Sequence, residues 1–171
     1  MADDKTTARE KDDLQKGISV CFTGHRQIGR EREDEVAKRL DVVIGRCIGK
    51  GYRIFMAGGA VGFDALAARR VIAAREKNPD VKLYLILPCR DQTSRWKSIG
   101  DINEYRYLKE NADDIIYIQY FYDNSCMMKR NRYMVDHSSL CVAYFNGRAG
   151  GTANTVKYAS ESGINVVNLY I

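Results

Sequence analysis

Short apolar runs alternate along the chain with longer segments whose apolar residues recur every three or four positions. The runs are typical of buried strands, and the periodic segments are typical of amphipathic helices. Six strands are predicted, at residues 18–23, 53–57, 83–87, 115–118, 140–144 and 166–169. Helices are predicted between them at residues 33–47, 64–75, 92–111 (with an interruption near Gly100), 125–136 and 152–162.

The predicted strands are apolar along most of their length and do not alternate between apolar and polar residues. Such runs are typical of a parallel sheet that helices cover on both faces. No linker rich in Pro, Gly or Ser and no internal repeat divides the chain. We therefore predict one doubly wound α/β domain of the Rossmann-like type over residues 17–171, with a mainly parallel sheet of about six strands. Residues 1–16 carry five acids and four bases and are predicted to form a poorly ordered leader.

Composition and charge narrow the class of protein. The 171 residues are 45% hydrophobic and 29% charged, which is ordinary for about one globular domain. No apolar run approaches the roughly 18 residues of a membrane span, and the start lacks the apolar core of a signal peptide. We expect a cytoplasmic protein without a membrane partner. The net charge of +5 suits an anionic ligand, but the bases are scattered, so nucleic acid is an allowed and not a favoured partner.

Cysteine usage indicates buried, reduced thiols and no metal site. The chain has only two histidines, and none of its cysteines form a C-x-x-C pair. Cys126 stands at a predicted helix start, where a thiol is expected to be the most reactive of the set. The five cysteines are Cys21, Cys47, Cys89, Cys126 and Cys141.

The segments that follow the strands are the candidate ligand site, because ligands of such sheets bind at the carboxyl ends of the strands. Two of these segments carry a glycine pair just before a helix, Gly58-Gly59 and Gly150-Gly151. A helix N-terminus offers unpaired N–H groups and partial positive charge, which suit phosphate, and glycine permits close approach. Either pair alone is better explained by a tight turn. Together, and beside Arg26, they favour a phosphate or nucleotide cleft.

The sequence lacks the more specific phosphate-binding motifs. The chain has no G-x-x-x-x-G-K-[ST] motif, its first strand–helix turn lacks G-x-G-x-x-G, and its second strand ends without a ribose-binding acid. Hydrolysis of nucleoside triphosphates by a P-loop and a standard NAD site are therefore disfavoured. The sequence specifies no cofactor beyond a nucleotide-derived ligand.

For each candidate residue in these segments, a purely structural role is the alternative to a role in ligand binding or catalysis. Asp64 suits the first turn of a helix either as a cap or as a ligand contact. Arg130 could bind a carboxylate or phosphate, or belong to a solvated face. His25 could act as an acid or base, or serve binding or structure. Trp96 could stack on a base, or belong to the core.

Four motifs in order resemble the YpsA-like branch of the SLOG superfamily. They are Thr23-Gly24-His25-Arg26, Gly58-Gly59-Ala60 with Gly62 and Asp64, Arg130-Asn131 through Asp136, and Gly150-Gly151-Thr152. That superfamily is a Rossmann-like group of bacterial and other proteins that includes the Smf/DprA DNA-processing proteins and the "lonely guy" (LOG) phosphoribohydrolases. The resemblance covers roughly residues 17–171. It implies glycine loops that bind a nucleotide or nucleotide-derived ligand, and it places Trp96 near the site, in a helix after the third strand. The residues that it marks as ligand-binding are Thr23, Gly24, His25, Arg26, Gly58, Gly59, Gly62, Asp64, Trp96, Arg130, Asn131, Asp136, Gly150, Gly151 and Thr152.

The sequence departs from the LOG hydrolases at one position that bears on catalysis. Those enzymes carry a glutamate just after their Gly-Gly loop that is needed to cleave an N-glycosidic bond, whereas residues 152–156 here contain no acid. Only Asp64, Asp123 or Asp136 could substitute.

Three functions follow in order of preference. The first is a module that binds or senses a nucleotide or nucleotide-derived ligand. The second is a nucleoside-monophosphate phosphoribohydrolase-like enzyme, and the third is DprA-like binding of single-stranded DNA. A homodimer is the assembly to test, because two-fold dimers are the commonest symmetric assemblies.

Overall fold

The computed structural model describes residues 15–171, so the predicted leader lies outside the described residues except for its last two positions, which are helical. Six strands are present: β1 (Ser19–Gly24), β2 (Ile54–Ala57), β3 (Lys82–Leu87), β4 (Asp114–Tyr117), β5 (Leu140–Tyr144) and β6 (Asn165–Asn168). The helices between them are α1 (Arg30–Gly49), α2 (Phe63–Lys77), α3 (Ile99–Asn111), α4 (Cys126–Asp136) and α5 (Gly151–Glu161).

All six strands run parallel in one sheet, in the order β4-β3-β2-β1-β5-β6. β1 lies at the turning point of this order: Cys21 pairs with Met56 of β2 on one side and with Cys141 of β5 on the other. The chain builds outward from β1 to β4 and then returns to the opposite side of β1. This arrangement confirms the predicted Rossmann-like α/β fold, and it opens a crevice between the carboxyl ends of β1 and β5.

The two faces of the sheet carry separate cores. Val20 and Phe22 of β1 pack with α1, α2 and α3, whereas Cys21 between them packs with α4 and α5. Because both faces of the central strands are covered, most of their side chains are apolar. Burying one such large side chain contributes about 1.5–3 kcal/mol to stability. The central strands therefore hold the crevice on a rigid base.

One predicted helix is wrong over its first part. Residues 90–95 form turns, and α3 begins only at Ile99. The Ser98 hydroxyl caps this helix by accepting a hydrogen bond from the Asp101 N–H at 3.2 Å, which makes Ser98 the physical start signal. Trp96 therefore lies in a loop and not in a helix, and Gly100 belongs to the first turn of α3. The other predicted bounds agree with the structure to within three residues.

Every cysteine is buried with a free thiol, at no more than 3% exposure. The expectation of a reactive Cys126 is wrong, because this side chain is fully buried beneath the start of α4. Burial, followed by a hydrogen bond with Asp91, also raises the pKa of the neighbouring Cys89 thiol to about 12. Within residues 15–171 no cluster of His, Cys, Asp or Glu side chains could hold a metal ion. In the same part of the chain, no helix has both the length and the apolar character that a membrane span requires.

Candidate functional site

A cleft of about 380 Å³ opens where the strand order switches, at the carboxyl ends of β1 and β5. The β1–α1 loop, the start of α2, the first half of α4 and the first turn of α5 surround it. Its lining residues are Phe22, Thr23, Gly24, His25, Arg26, Ala60, Asp64, Met127, Arg130, Asn131, Gly151 and Thr152.

The N-terminus of α5 forms an open wall of this cleft. No side chain among the described residues caps the helix at Gly150, whose φ of +145° favours glycine. Gly151 does not have a positive φ, and a Cβ built on it would meet no described atom within 4 Å. The first N–H groups of the helix have no intrahelical acceptor. Together with the helix dipole they form a place for an anion.

The other glycine pair, Gly58-Gly59, is closed by the protein itself. A Cβ on Gly58 would overlap the Arg130 guanidinium and lie 2.8 Å from an Asp64 carboxylate oxygen. A Cβ on Gly59, at φ +71°, would lie 2.5 Å from the Leu87 side chain. The absence of side chains here serves internal packing, and neither glycine lines the cleft.

Gly62 is needed for a similar reason. It has a φ of +82°, and a Cβ there would overlap the backbone of Arg26. The turn before α2 therefore presses directly on the β1–α1 loop, and the Phe63 N–H donates to the His25 carbonyl oxygen at 3.1 Å. Gly62 shapes the cleft without lining it.

Arg130 is 5% exposed, and its guanidinium is largely engaged inside the fold. Nη1 donates to the Gly58 carbonyl oxygen, Nε donates to Asn131 Oδ1 at 2.7 Å, and Nη2 contacts Met127 Sδ at 3.8 Å. Arg130 thus links the Gly58 loop to two residues that line the cleft. Its role as a direct phosphate contact stays a prediction, whereas its role in positioning Asn131 is visible in the hydrogen bonds.

Asp64 is the one acid among the described residues that line the cleft. Burial raises its pKa above the ordinary value of 3.8, while Arg130, backbone N–H groups of Ala60 and Gly58, and Arg26 act in the opposite direction. Burial likewise lowers the pKa of Arg130 below its ordinary value, against the attraction of Asp64. Desolvation of these two charges therefore outweighs their mutual stabilisation.

The His25 side chain is engaged in a hydrogen bond within the protein, whereas the Arg26 side chain is exposed. The Asn146 backbone N–H donates to His25 Nε2 at 2.9 Å, so this ring nitrogen acts as the acceptor. The ring thereby ties the β1–α1 loop to the segment after β5. The Arg26 side chain, by contrast, is exposed at the mouth of the cleft. Of these two residues, Arg26 is the one available to a ligand.

Besides Gly58, Gly59 and Gly62, two more predicted site residues do not line the cleft. Trp96 packs edge-on against Tyr105, with ring centroids 5.5 Å apart, on the far side of the Gly59–Val61 loop. Asp136 lies at the opposite end of α4, where it accepts a hydrogen bond from the Tyr158 hydroxyl at 2.7 Å. Asp123, the other acid considered as a substitute for the LOG glutamate, is exposed in the β4–α4 loop and does not line the cleft.

Met127 is a cleft residue that the sequence interpretation missed. It lies three positions before Arg130 on α4, so the two side chains share a helix face. That spacing was the available signal. The remaining predicted residues that do meet in the cleft are Thr23, Gly24, His25, Arg26, Asp64, Arg130, Asn131, Gly151 and Thr152, with Gly150 adjoining them as the cap of α5.

These features define a Rossmann-like α/β protein with a cleft at the strand-order switch. A family model, YpsA, described as the YspA SLOG family, matches residues 20–165, and the chain belongs to that family. The chain is also 31% identical over 120 residues to the "Uncharacterized SPbeta prophage-derived protein YoqJ" of Bacillus subtilis (strain 168), a match that covers 63% of this chain and 70% of that protein. The predicted superfamily is thereby confirmed.

Solved structures of DNA processing protein A (DprA) share the fold at 15% sequence identity. DprA from Streptococcus pneumoniae superposes with a TM-score of 0.63 over 91% of this chain, and this chain spans about half (51%) of that one. DprA from Helicobacter pylori, described for its single-stranded DNA binding mode, gives a TM-score of 0.64 over 92% of this chain and 67% of its own. At this identity the likeness shows the architecture alone.

Proposed function

We propose that this protein binds a nucleotide or nucleotide-derived ligand in the cleft and acts as a binding or sensing module. The observation that carries the proposal is the open N-terminus of α5, where a Cβ on Gly151 would meet no described atom, at a cleft that Arg26 also lines. A phosphate group there would accept hydrogen bonds from the first N–H groups of α5. Arg26 adds a charge-assisted contact.

Thermal unfolding in the presence of nucleotides tests the proposal. A ligand at about 100 times its Kd stabilises the folded state by about 2.7 kcal/mol. For a chain of this size, that corresponds to a rise in Tm of roughly 5–10 °C. AMP and GMP are the first probes, with ribose 5-phosphate beside them. A flat Tm across a broad panel of nucleotides contradicts the proposal.

The Arg26→Ala variant tests whether the nucleotide binds in the cleft or elsewhere on the protein surface. Loss of a charge-assisted contact of about 1.5–3 kcal/mol should weaken nucleotide binding roughly 10- to 150-fold. Because the side chain is exposed, the Tm without ligand should stay near the wild-type value. Arg106→Ala, an exposed arginine on α3, is the matched control and should leave binding unchanged. Equal affinity of both variants for AMP would place the anion site elsewhere.

A hydrolase is the alternative that the same cleft must be tested for. Cleavage of an N-glycosidic bond requires a positioned carboxyl group, and in this cleft Asp64 is the acid that could serve. Incubation with nucleoside monophosphates, followed by chromatography for free base and ribose 5-phosphate, tests for that reaction. If the wild-type protein releases these products and Asp64→Asn does not, the protein is an enzyme and the proposal of a binding module is wrong.

Single-stranded nucleic acid is a second candidate ligand, favoured by one surface feature. Tyr120, Phe121 and Tyr122 of the β4–α4 loop are 62%, 69% and 48% exposed. The Arg90 guanidinium lies 5.7 Å from the Tyr120 ring centroid, and that of Arg95 lies 5.8 Å from Tyr122. Exposed rings among cations are typical of proteins on which bases stack.

Fluorescence anisotropy with a labelled oligothymidylate tests this second candidate. Binding through stacked bases and phosphates should weaken steeply with salt and fall when Phe121 is replaced by Ala. An affinity that neither salt nor Phe121→Ala changes would contradict a role for this loop.

A further inference from the structure

A second cavity, of about 490 Å³, lies between α4 and α5 and adjoins the cleft. Three residues line both spaces: Met127, Asn131 and Gly151. Because Gly151 has no side chain, nothing projects from α5 at this junction. We call the second cavity the α4–α5 groove.

The chemistry of the groove differs from that of the cleft. Both spaces carry charged groups, but those of the groove have partners in the protein: Lys157 Nζ lies 3.8 Å from Glu161 Oε1, and the Arg132 guanidinium lies over the Tyr158 ring. The groove also presents the half-exposed Met128 and the Tyr158 ring. The amide side chains of Asn124 and Asn154 also line it. Amides pair with the polar edges of nucleobases, and methionine sulfur makes favourable contacts with aromatic rings. The groove therefore suits a flat heterocycle better than a phosphate.

One wall of the groove is held in place before any ligand arrives. The Tyr158 hydroxyl donates to Asp136 Oδ1 at 2.7 Å, and the Arg132 guanidinium lies 5.1 Å from the Tyr158 ring centroid. At the junction, Asn131 Oδ1 accepts from Arg130 Nε, which leaves the Asn131 NH₂ as the group that can donate to a ligand. Such preorganisation reduces the entropy lost on binding.

From the lining residues that the two spaces share, and from the ring and amide groups of the groove, we infer that the ligand is a nucleoside phosphate that spans both spaces. Its phosphate lies at the N-terminus of α5, its ribose crosses the junction between Asn131 and Gly151, and its base lies in the α4–α5 groove. The inference rests on the proposed function. It adds that contacts between the base and the α4–α5 groove determine which ligands the protein selects. A phosphorylated sugar without a base would use the cleft alone.

Asn154→Leu tests the inference without touching the cleft. Leucine fills part of the groove, and it is a better helix former than asparagine, so folding should not suffer. Ser160→Leu is the matched control, because Ser160 is exposed on the same helix and does not line the groove. The probes are AMP, GMP and ribose 5-phosphate, measured by calorimetric titration.

We expect wild-type protein and Ser160→Leu to bind AMP or GMP more tightly than ribose 5-phosphate. Asn154→Leu should lose about tenfold or more of the nucleotide affinity, comparable to one or two hydrogen bonds. Its affinity for ribose 5-phosphate should change less than about twofold.

Three results would overturn the inference. If wild-type protein binds ribose 5-phosphate as tightly as both nucleotides, or if Asn154→Leu leaves nucleotide affinity unchanged, the base does not lie in the groove, although the cleft would still hold the phosphate. If Asn154→Leu instead changes the oligomeric state in sedimentation and leaves nucleotide affinity intact, the groove is an interface between copies of this chain. If none of the three probes binds the wild-type protein, the proposed function fails together with the inference.

Discussion

The two glycine pairs look alike in the sequence, and the structure predicts opposite responses to the same substitution. In Gly58→Ala, the new methyl group would occupy the position of the Arg130 guanidinium and displace it from the Gly58 carbonyl oxygen. In Gly151→Ala, the methyl group would enter open space on a backbone that does not have a positive φ.

The two substitutions should change the stability of the protein in opposite directions. Separating a buried charge from its partner costs about 3–5 kcal/mol, and Arg130 is 5% exposed. Since each kcal/mol shifts the Tm of a chain of this size by about 2–4 °C, Gly58→Ala should lower the Tm by roughly 6–20 °C. Gly151→Ala should raise the free energy of unfolding by about 0.4–1 kcal/mol, because alanine restricts the unfolded chain. It should nevertheless weaken AMP binding, because the methyl group stands where the phosphate approaches.

Melting curves and calorimetric titrations with AMP on the same samples decide the matter. Gly45→Ala is the matched control: Gly45 lies in α1, a Cβ there would meet no described atom within 4 Å, and the residue is remote from the cleft. It should gain stability like Gly151→Ala and retain full AMP affinity. A Gly58→Ala variant with wild-type Tm would refute the account of the Gly58 loop. Unchanged AMP affinity in Gly151→Ala would refute the anion site at α5.

Two further predictions concern protonation and thiols. Because burial raises the pKa of Asp64 above 3.8, the folded chain keeps this proton at pH values where the unfolded chain has released it, so the stability of wild-type protein should fall relative to Asp64→Asn as pH rises above 3.8. Urea unfolding at several pH values measures the difference, and a difference that grows in the opposite direction would contradict it. The five buried thiols should react with a disulfide reagent only after denaturation, and rapid native labelling of Cys126 would contradict its burial.

The strands were predictable because their burial leaves a direct mark on the sequence. Residues 140–144 read as a continuous apolar run, and β5 covers the same residues. The segment between β3 and α3 was not predictable in the same way. Its polar and aromatic residues are compatible with a helix, but Pro88 is followed by a loop held by long-range contacts. One of these is the Arg90 N–H to Tyr120 carbonyl hydrogen bond at 2.9 Å, which no local pattern shows.

The candidate site was predictable in position more than in detail. The rule that ligands lie at the carboxyl ends of strands placed Arg26 and Gly151 in one cleft before their distances were known. A helix that connects parallel strands begins at the carboxyl edge of the sheet, so Asp136, the last residue of α4, lies at the end of the helix away from the cleft. The rule about strand ends cannot tell an open glycine pair from a closed one. That distinction depends on Arg130, which is 72 positions away from Gly58 in the chain.

The physical contacts explain why four individually loose motifs occur together. Gly24 has no side chain because Phe63 occupies the space, Gly62 has none because the Arg26 backbone lies there, and Gly58 has none because of Arg130. Each glycine is thus matched to a neighbour from a different motif, and altering one motif would disturb the packing of another. Only the fourth motif, at the start of α5, has a glycine whose missing side chain is compensated by no described atom. This open position is where the proposed ligand would approach the helix.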